Sequence, residues 1–300
     1  FVDVGILPFY QISRAARSEI TVALTGDGGD ESFCGYYNVY AAYMASKLKR
    51  YMPGTLRRPL GHLLNLVYGH NAPPSLIRRF GTLLRYANQR PIELYDDPDL
   101  WHSDIRTALY DPAWLNGKID DGAMSVVAHN LEVAKDLDEI EQILYTDLHL
   151  RLPGDYLTKA DIASNAVALE VRSPFLDHEL VERAAGLPSS SKMFRWRQKG
   201  LLRELARKYL PAESIARHKT GFGPPLKEWL RGQWAPMVRD LVGNSLAERP
   251  GMFNAPLIRQ MVDEHIDGRR NHSARLWSLV CFELWWRMFV DRSMGPTDAL

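Results

Sequence analysis

Residues 20 to 36 read Ile-Thr-Val-Ala-Leu-Thr-Gly-Asp-Gly-Gly-Asp-Glu-Ser-Phe-Cys-Gly-Tyr, and no other segment constrains the fold as tightly. A β-branched apolar run, 20–24, enters a loop of three glycines and three carboxylates, and an aromatic-rich helical stretch follows. Strand, glycine loop and helix start is how α/β proteins offer main-chain N–H groups and a positive helix end to an anion. Asp27, Asp30 and Glu31 would repel a bare phosphate there. A divalent cation between them removes the conflict, and hard carboxylate oxygens suit Mg²⁺ bound to phosphates. The loop thus suggests a Mg²⁺–phosphate site on an α/β sheet. The same residues also suit a plain turn followed by a helix, with Asp30 as its N-cap. An EF-hand is excluded, because the carboxylates miss its alternating positions.

Bulk properties narrow the function classes. At 300 residues and 46% hydrophobic, the chain can bury a sizeable core as one large domain or two small ones. Lys plus Arg number 37 against 36 Asp plus Glu, so no net field favours nucleic acid or an anionic membrane. Two cysteines, Cys34 and Cys281, make no disulfide framework and point to a reducing cytoplasm. Cys34 has no cation nearby in sequence and reads as a small buried residue rather than a nucleophile. The nine histidines form no spaced ligand set, and no Ser or Cys nucleophile constellation is visible. The longest apolar stretch, 276–290, is too short to span a bilayer and is interrupted by Glu283 and Arg287. It reads as a core helix with a Glu283–Arg287 pair at its wet edge. No signal peptide opens the chain, and a start at Phe1 rather than Met reads as that of a fragment.

The pattern is mostly helical. Helices are expected over 8–17 and 32–49, with a strand over 20–25. Short helices of no evident chemistry are expected over 51–130. Leu137, Ile140, Leu144 and Leu148 mark an amphipathic helix stopped by Pro153-Gly154, and a second helix runs from Asp155 to about 169. Residues 170–177 leave the helical period, and Pro174 favours an extended connection. Residues 199–210 form a helix whose buried face is Leu201, Leu202, Leu205 and Tyr209, ended by Pro211. Another opens at Pro224-Pro225 and runs through Trp229. Lys199, Arg203 and Arg207 share a face of the 199–210 helix at i, i+4, i+8, where like charges destabilise by ~0.2–0.5 kcal/mol per pair. Lys199 also stands at the helix start, where the macrodipole disfavours a cation. Such a lysine fits an anion-binding role, and also a solvated face or a salt bridge to a carboxylate elsewhere. The basic stretch Ala216-Arg-His-Lys-Thr-Gly-Phe-Gly suits a loop that closes over phosphates or an ordinary surface loop.

Taken in order, five stretches resemble the synthetase domain of glutamine-dependent asparagine synthetases. They are Leu24-Thr-Gly-Asp-Gly-Gly-Asp-Glu-Ser-Phe-Cys-Gly-Tyr, Asp155-Tyr-Leu-Thr-Lys-Ala-Asp, Leu169-Glu-Val-Arg-Ser-Pro-Phe-Leu-Asp-His, Lys199-Gly-Leu-Leu-Arg and Arg217-His-Lys-Thr-Gly-Phe. The resemblance implies an ATP-pyrophosphatase, adenine-nucleotide α-hydrolase-like parallel sheet, partial here, with a large helical complement over 1–300. It implies activation of the aspartate side chain by ATP as an acyl-adenylate, followed by attack of ammonia made in a separate glutaminase domain. On it, Asp30 is the Mg²⁺–pyrophosphate carboxylate, and Asp27 faces the reacting amine or amino acid. Lys199 stabilises charge at the α-phosphate, and Lys219 is a phosphate-side cation. Thr25, Gly26, Gly28 and Gly29 belong to the nucleotide-binding loop. Glu170, Arg172 and Asp177 are expected to form a structural ion-pair network. A homodimer is compatible with the resemblance.

Two departures accompany it. The family's Ser-Gly-Gly-x-Asp-Ser phosphate loop and the N-terminal cysteine of its glutaminase half are not in this sequence. The rival expectations are another amide-forming ligase of the same fold, such as a β-lactam-forming or biosynthetic-cluster enzyme, and a non-catalytic module that kept the fold.

Overall fold

The structure is a computed structural model and describes residues 1–68, 76–96, 100–115, 122–216, 223–249, 251–295 and 298. It is mostly helical, with one small parallel sheet, the mixed α/β character expected of the sequence. The first helix, α1 (Ile6–Arg17), takes Pro8 into its opening turns, where a missing N–H costs little. The apolar run after it forms β1 (Val22–Leu24), and the extended segment at 170 forms β2 (Glu170–Arg172). The strands pair in parallel with Val22 opposite Glu170 and Leu24 opposite Arg172. Parallel sheets are normally covered on both faces, yet Leu24 is 73% exposed in this two-stranded one.

Two compact units make up the chain. One comprises Ser13–Tyr95 and Gly122–Thr220, the other Phe1–Ile12, Asp96–Asp121 and Gly221–Leu300. In the first, β1 leads into the single turn α2 (Gly29–Ser32) and then α3 (Tyr37–Tyr51). The expected helix from 32 is thus interrupted, because Cys34 takes a left-handed φ of 56° between the two helices. After α4 (Gly54–Tyr68) and α5 (Leu76–Asn88), the chain reaches the helix Glu139–Thr146, N-capped by Asp138 through the N–H groups of Ile140 and Glu141. Val39, Ala42 and Tyr43 pack with Cys34, Ile140, Ile143, Leu144 and Met193 as this unit's core.

Pro153-Gly154 does not stop the helix as expected. Glu139–Thr146 continues as a π-helix over Asp147–Leu157 and then as Thr158–Asn165. The wider π-turn tolerates a proline that has no N–H to give, and the Pro153 carbonyl accepts the Thr158 hydroxyl at 2.8 Å. The helix expected over 199–210 is shorter, Gly200–Ala206; Leu205 on it and Tyr209 beyond its end are exposed rather than in a core.

In the second unit, Leu230, Val242, Leu246, Ile258 and Leu276 are at the centre of a core shared by the helices Ala255–Ile266 and Ser273–Phe289. Glu283 is not at a wet edge: it is 0% exposed. It takes hydrogen bonds from Arg249 at 2.9 and 3.1 Å, Ser245 at 2.6 Å and Arg287 at 2.8 Å. Burial alone would raise its pKa, but these donors hold it below the usual value. Among the described residues, no helix is long and apolar enough to cross a membrane.

Candidate active site

The glycine loop follows directly from β1. The Thr25 N–H donates to the Arg172 carbonyl at 2.8 Å, continuing the ladder one residue beyond the strand, and its hydroxyl meets that of Ser173 at 2.6 Å. Gly28 caps α2 with φ 84°, a conformation open to glycine, and a Cβ there would lie 2.8 Å from Leu176 Cγ. Gly28 and Gly29 are both buried, against Leu176 and Phe175, whereas Gly26 has open space around it. The cap of α2 is therefore Gly28 and not Asp30, which sits inside the turn and whose side chain does other work.

That work is visible. The Lys199 ammonium lies 3.2 Å from the Asp30 carboxylate, so the cation that the 199–207 pattern left looking for an anion has found one. Lys199 is the cap residue of Gly200–Ala206, held at φ 51°, where a side chain is strained. Two features permit this approach. Gly200 lies against the Phe194 backbone, with a Cβ position only 2.5 Å from the Phe194 nitrogen. Gly35 forms the floor under the pair: a Cβ there would sit 2.5 Å from Lys199 Cε and 2.6 Å from Asp30 Cγ. The Gly35 N–H closes the turn onto the Asp30 carbonyl at 2.8 Å. Asp27 is half-buried on the same loop. Lys219 lies outside the described residues.

Behind Asp30 is a buried polar cluster. Glu31, 2% exposed, accepts the Tyr36 hydroxyl, and burial raises its pKa. Tyr36 stacks on Tyr156 of the π-helix at 5.6 Å. Asp147, also buried with a raised pKa, accepts from the Tyr95 hydroxyl at 3.0 Å and lies 3.7 Å from Arg151. Cys34 is fully buried, and burial pushes its thiol up to about 12 although Lys192 pulls it down, so a cation does lie near it. Lys192 itself is neutralised by Glu141 at 2.8 Å. An unreactive Cys34 follows.

The expected network of Glu170, Arg172 and Asp177 is only half formed. Arg172 meets Glu170 at 2.7 Å in an exposed pair. Asp177 instead caps the helix His178–Ala185 through the N–H groups of Glu179 and Leu180. Arg203 and Arg207 do not form an open cationic face either. Arg207 pairs with Glu204 at 3.5 Å, and Arg203 donates to the carbonyls of Gln198 and Ile215.

Among the described residues, no group of three or more His, Cys, Asp or Glu could hold a metal by protein ligands alone. Mg²⁺ needs no such cage. It is commonly held by one or two carboxylates plus substrate phosphates, and Asp30, in a cradle that a Gly35 Cβ would fill, fits that use.

A glycine loop at the carboxyl end of a parallel strand is where open α/β sheets commonly take their ligands, and here a carboxylate–lysine pair lies beside it. The asparagine synthase family profile matches residues 1–287, and the chain belongs to that family. It is 31% identical over 308 residues to a Mycobacterium tuberculosis protein provisionally described as a glutamine-hydrolysing asparagine synthetase, covering 98% of this chain and 43% of that protein. Bacillus subtilis asparagine synthetase (glutamine-hydrolysing) 1 is 25% identical over 307 residues, covering 99% of this chain and 45% of the relative. A shorter match, 30% identical over 101 residues and 32% of this chain, is to the amidase chry2 of Gibberella zeae, 15% of whose length it covers. The chain thus spans less than half the length of the first two. No solved structure matches it at a significant level.

Proposed function

We propose that residues 1–300 are part of the synthetase domain of a glutamine-dependent asparagine synthetase, on an adenine-nucleotide α-hydrolase-like fold. In this reading ATP activates the side-chain carboxylate of aspartate as an acyl-adenylate, and ammonia from a glutaminase domain attacks it. The observation that carries the reading is the Lys199–Asp30 pair at 3.2 Å, which unites two of the five family stretches at one point. Asp30, at the mouth of the loop Thr25–Gly29, would hold Mg²⁺; the ion would neutralise the departing pyrophosphate. Lys199 supplies fixed positive charge where the α-phosphate becomes more negative, which favours the transition state over the ground state. Asp27 faces the incoming amine or amino acid, and Lys219 serves the phosphates. The two cysteines fit a cytoplasmic protein, and a homodimer is part of the same proposal.

The test is aspartate-dependent exchange of pyrophosphate into ATP by the complete protein, repeated with Asp30→Asn. Exchange that vanishes in the variant supports the reading; exchange that survives makes Asp30 a structural residue. The 300-residue chain alone is expected to release no AMP. The match to chry2, a relative not named for asparagine, leaves room for a second reading, an amide-forming ligase of the same fold for a different carboxylate, and exchange driven by another acid but not by aspartate would select it. No exchange with any carboxylate would leave a non-catalytic module.

A further inference from the structure

We infer that Arg203 is a positioning residue for Lys199, acting through the peptide of Gln198; its catalytic part rests on the function proposed above. Lys199 could not hold its place unaided. Its backbone is in the left-handed region, its side chain is long and flexible, and the carboxylate it meets belongs to a distant part of the sequence. Three hydrogen bonds fix the peptide that carries it. The Gln198 side-chain amide donates to the Gly35 carbonyl at 3.0 Å, and the Lys199 N–H points to the Cys34 carbonyl at 3.4 Å. From the other side, Arg203 Nε donates to the Gln198 carbonyl at 3.1 Å. A second guanidinium nitrogen, Nη1, donates to the carbonyl of Ile215.

One planar fork therefore ties the residue before Lys199 to the end of the short helix Ala212–Ala216, which immediately precedes the basic 217–222 segment in sequence. Only arginine can do this, because its donors leave in fixed, diverging directions, whereas lysine offers one rotating point charge. The same arrangement explains a like charge four residues after Lys199. The Arg203 cation is directed onto main-chain carbonyls, those of Gln198 and Ile215.

The test measures Lys199 directly and needs no turnover. Acetylation of each lysine of the 300-residue chain is followed by mass spectrometry, with Lys135 and Lys227 as internal references, in wild type, Asp30→Asn, Arg203→Ala and Arg203→Lys. Arg203→Ala should raise the Lys199 rate ~10-fold relative to the references, towards that of Asp30→Asn, as expected when an ammonium loses its fixed partner. Guanidinium ion at ~20 mM should restore part of the protection, because it can refill the fork's place. A Lys199 rate unchanged in Arg203→Ala overturns the proposal. If Arg203→Ala raises all lysines together, the fold has gone, and Arg203→Lys decides on the same ratio: selective exposure of Lys199 supports the role and none overturns it. In the complete protein, aspartate-dependent exchange by Arg203→Ala should lose ~10²-fold in kcat, the scale of a ~1 Å displacement, with the KM for ATP little changed. A raised KM with normal kcat overturns positioning in favour of binding. Absence of exchange in the wild type counts against the proposed function alone, and the acetylation ratios still judge Arg203.

Discussion

Replacing Gly35 by alanine should disable the site while leaving the fold almost untouched. The added Cβ would lie 2.5 Å from Lys199 Cε and 2.6 Å from Asp30 Cγ, and it would overlap the Asp30 carboxylate oxygen outright. Carbon atoms settle at about 3.5–4.0 Å, so each partner must retreat by about 1 Å. The backbone gives no second penalty, since Gly35 is not among the glycines of positive φ. Stability changes little: a half-exposed pair is worth ~0.2–1 kcal/mol, and the stiffer unfolded chain returns ~0.4–1 kcal/mol. Catalysis is far less forgiving, because a misplacement of ~1 Å costs ~10²-fold in rate. Aspartate-dependent exchange by the complete Gly35→Ala protein should thus fall ~10²-fold while the melting temperature moves by less than ~4 °C. Exchange within ~3-fold of wild type, with the fold intact, would show that the pair's spacing does not matter to the chemistry.

Three further outcomes follow from the same geometry. Lys199→Met should lower kcat by ~10²–10³, the scale of removing one preorganised electrostatic donor, with a smaller change in the KM for ATP; normal kcat with a melting point several degrees lower would make the residue purely structural. Glu283→Ala leaves Arg249 and Arg287 without their shared buried carboxylate and should cost ~3–5 kcal/mol in chemical denaturation; a loss below ~1 kcal/mol would show the cluster to be dispensable. His265 is fully buried, and burial, then Arg231, lowers its pKa to about 4. The unfolded chain, with a histidine pKa of ~6.5, binds a proton that the native state refuses, so this residue's contribution is lost as pH falls from 6.5 towards 4, up to ~3 kcal/mol. Subtracting the pH dependence of His265→Asn from that of wild type should isolate this slope, and parallel curves would refute it.

Local structure was legible in the sequence wherever it was written contiguously. The 24–36 stretch gave strand, loop and carboxylates in order, and Lys199 was conspicuous because local electrostatics opposed its place. What stayed hidden depended on contacts across the chain. Nothing near Lys199 in sequence names Asp30 as its anion, and nothing around Gly35 in sequence marks it as the residue that the pair crosses. Arg203 was read with Lys199 as one cationic face because helical spacing records direction only, whereas the carbonyls of Gln198 and Ile215 decide where a guanidinium goes. Glu283 misled in the same way. A charge in an apolar helix suggests a wet edge, and the donors that allow its burial, Arg249 and Ser245, come from another segment. Pro153-Gly154 suggested a helix stop by a rule for α-helices, and a π-turn escapes it.

The parallel pairing of β1 with β2 also sets an order of events. The bond between Thr25 and Ser173 closes a ring across 148 residues of chain. By loop-closure entropy such a ring costs ~4 kcal/mol before any contact returns it, whereas the helices need only neighbours. A refolding chain should therefore hold most of its helix while the 25–30 loop is still loose, and the loop's geometry should be completed in the slow final phase. Until then the exposed apolar edge of β1 is an unpaired strand, and crowded refolding conditions will find it first.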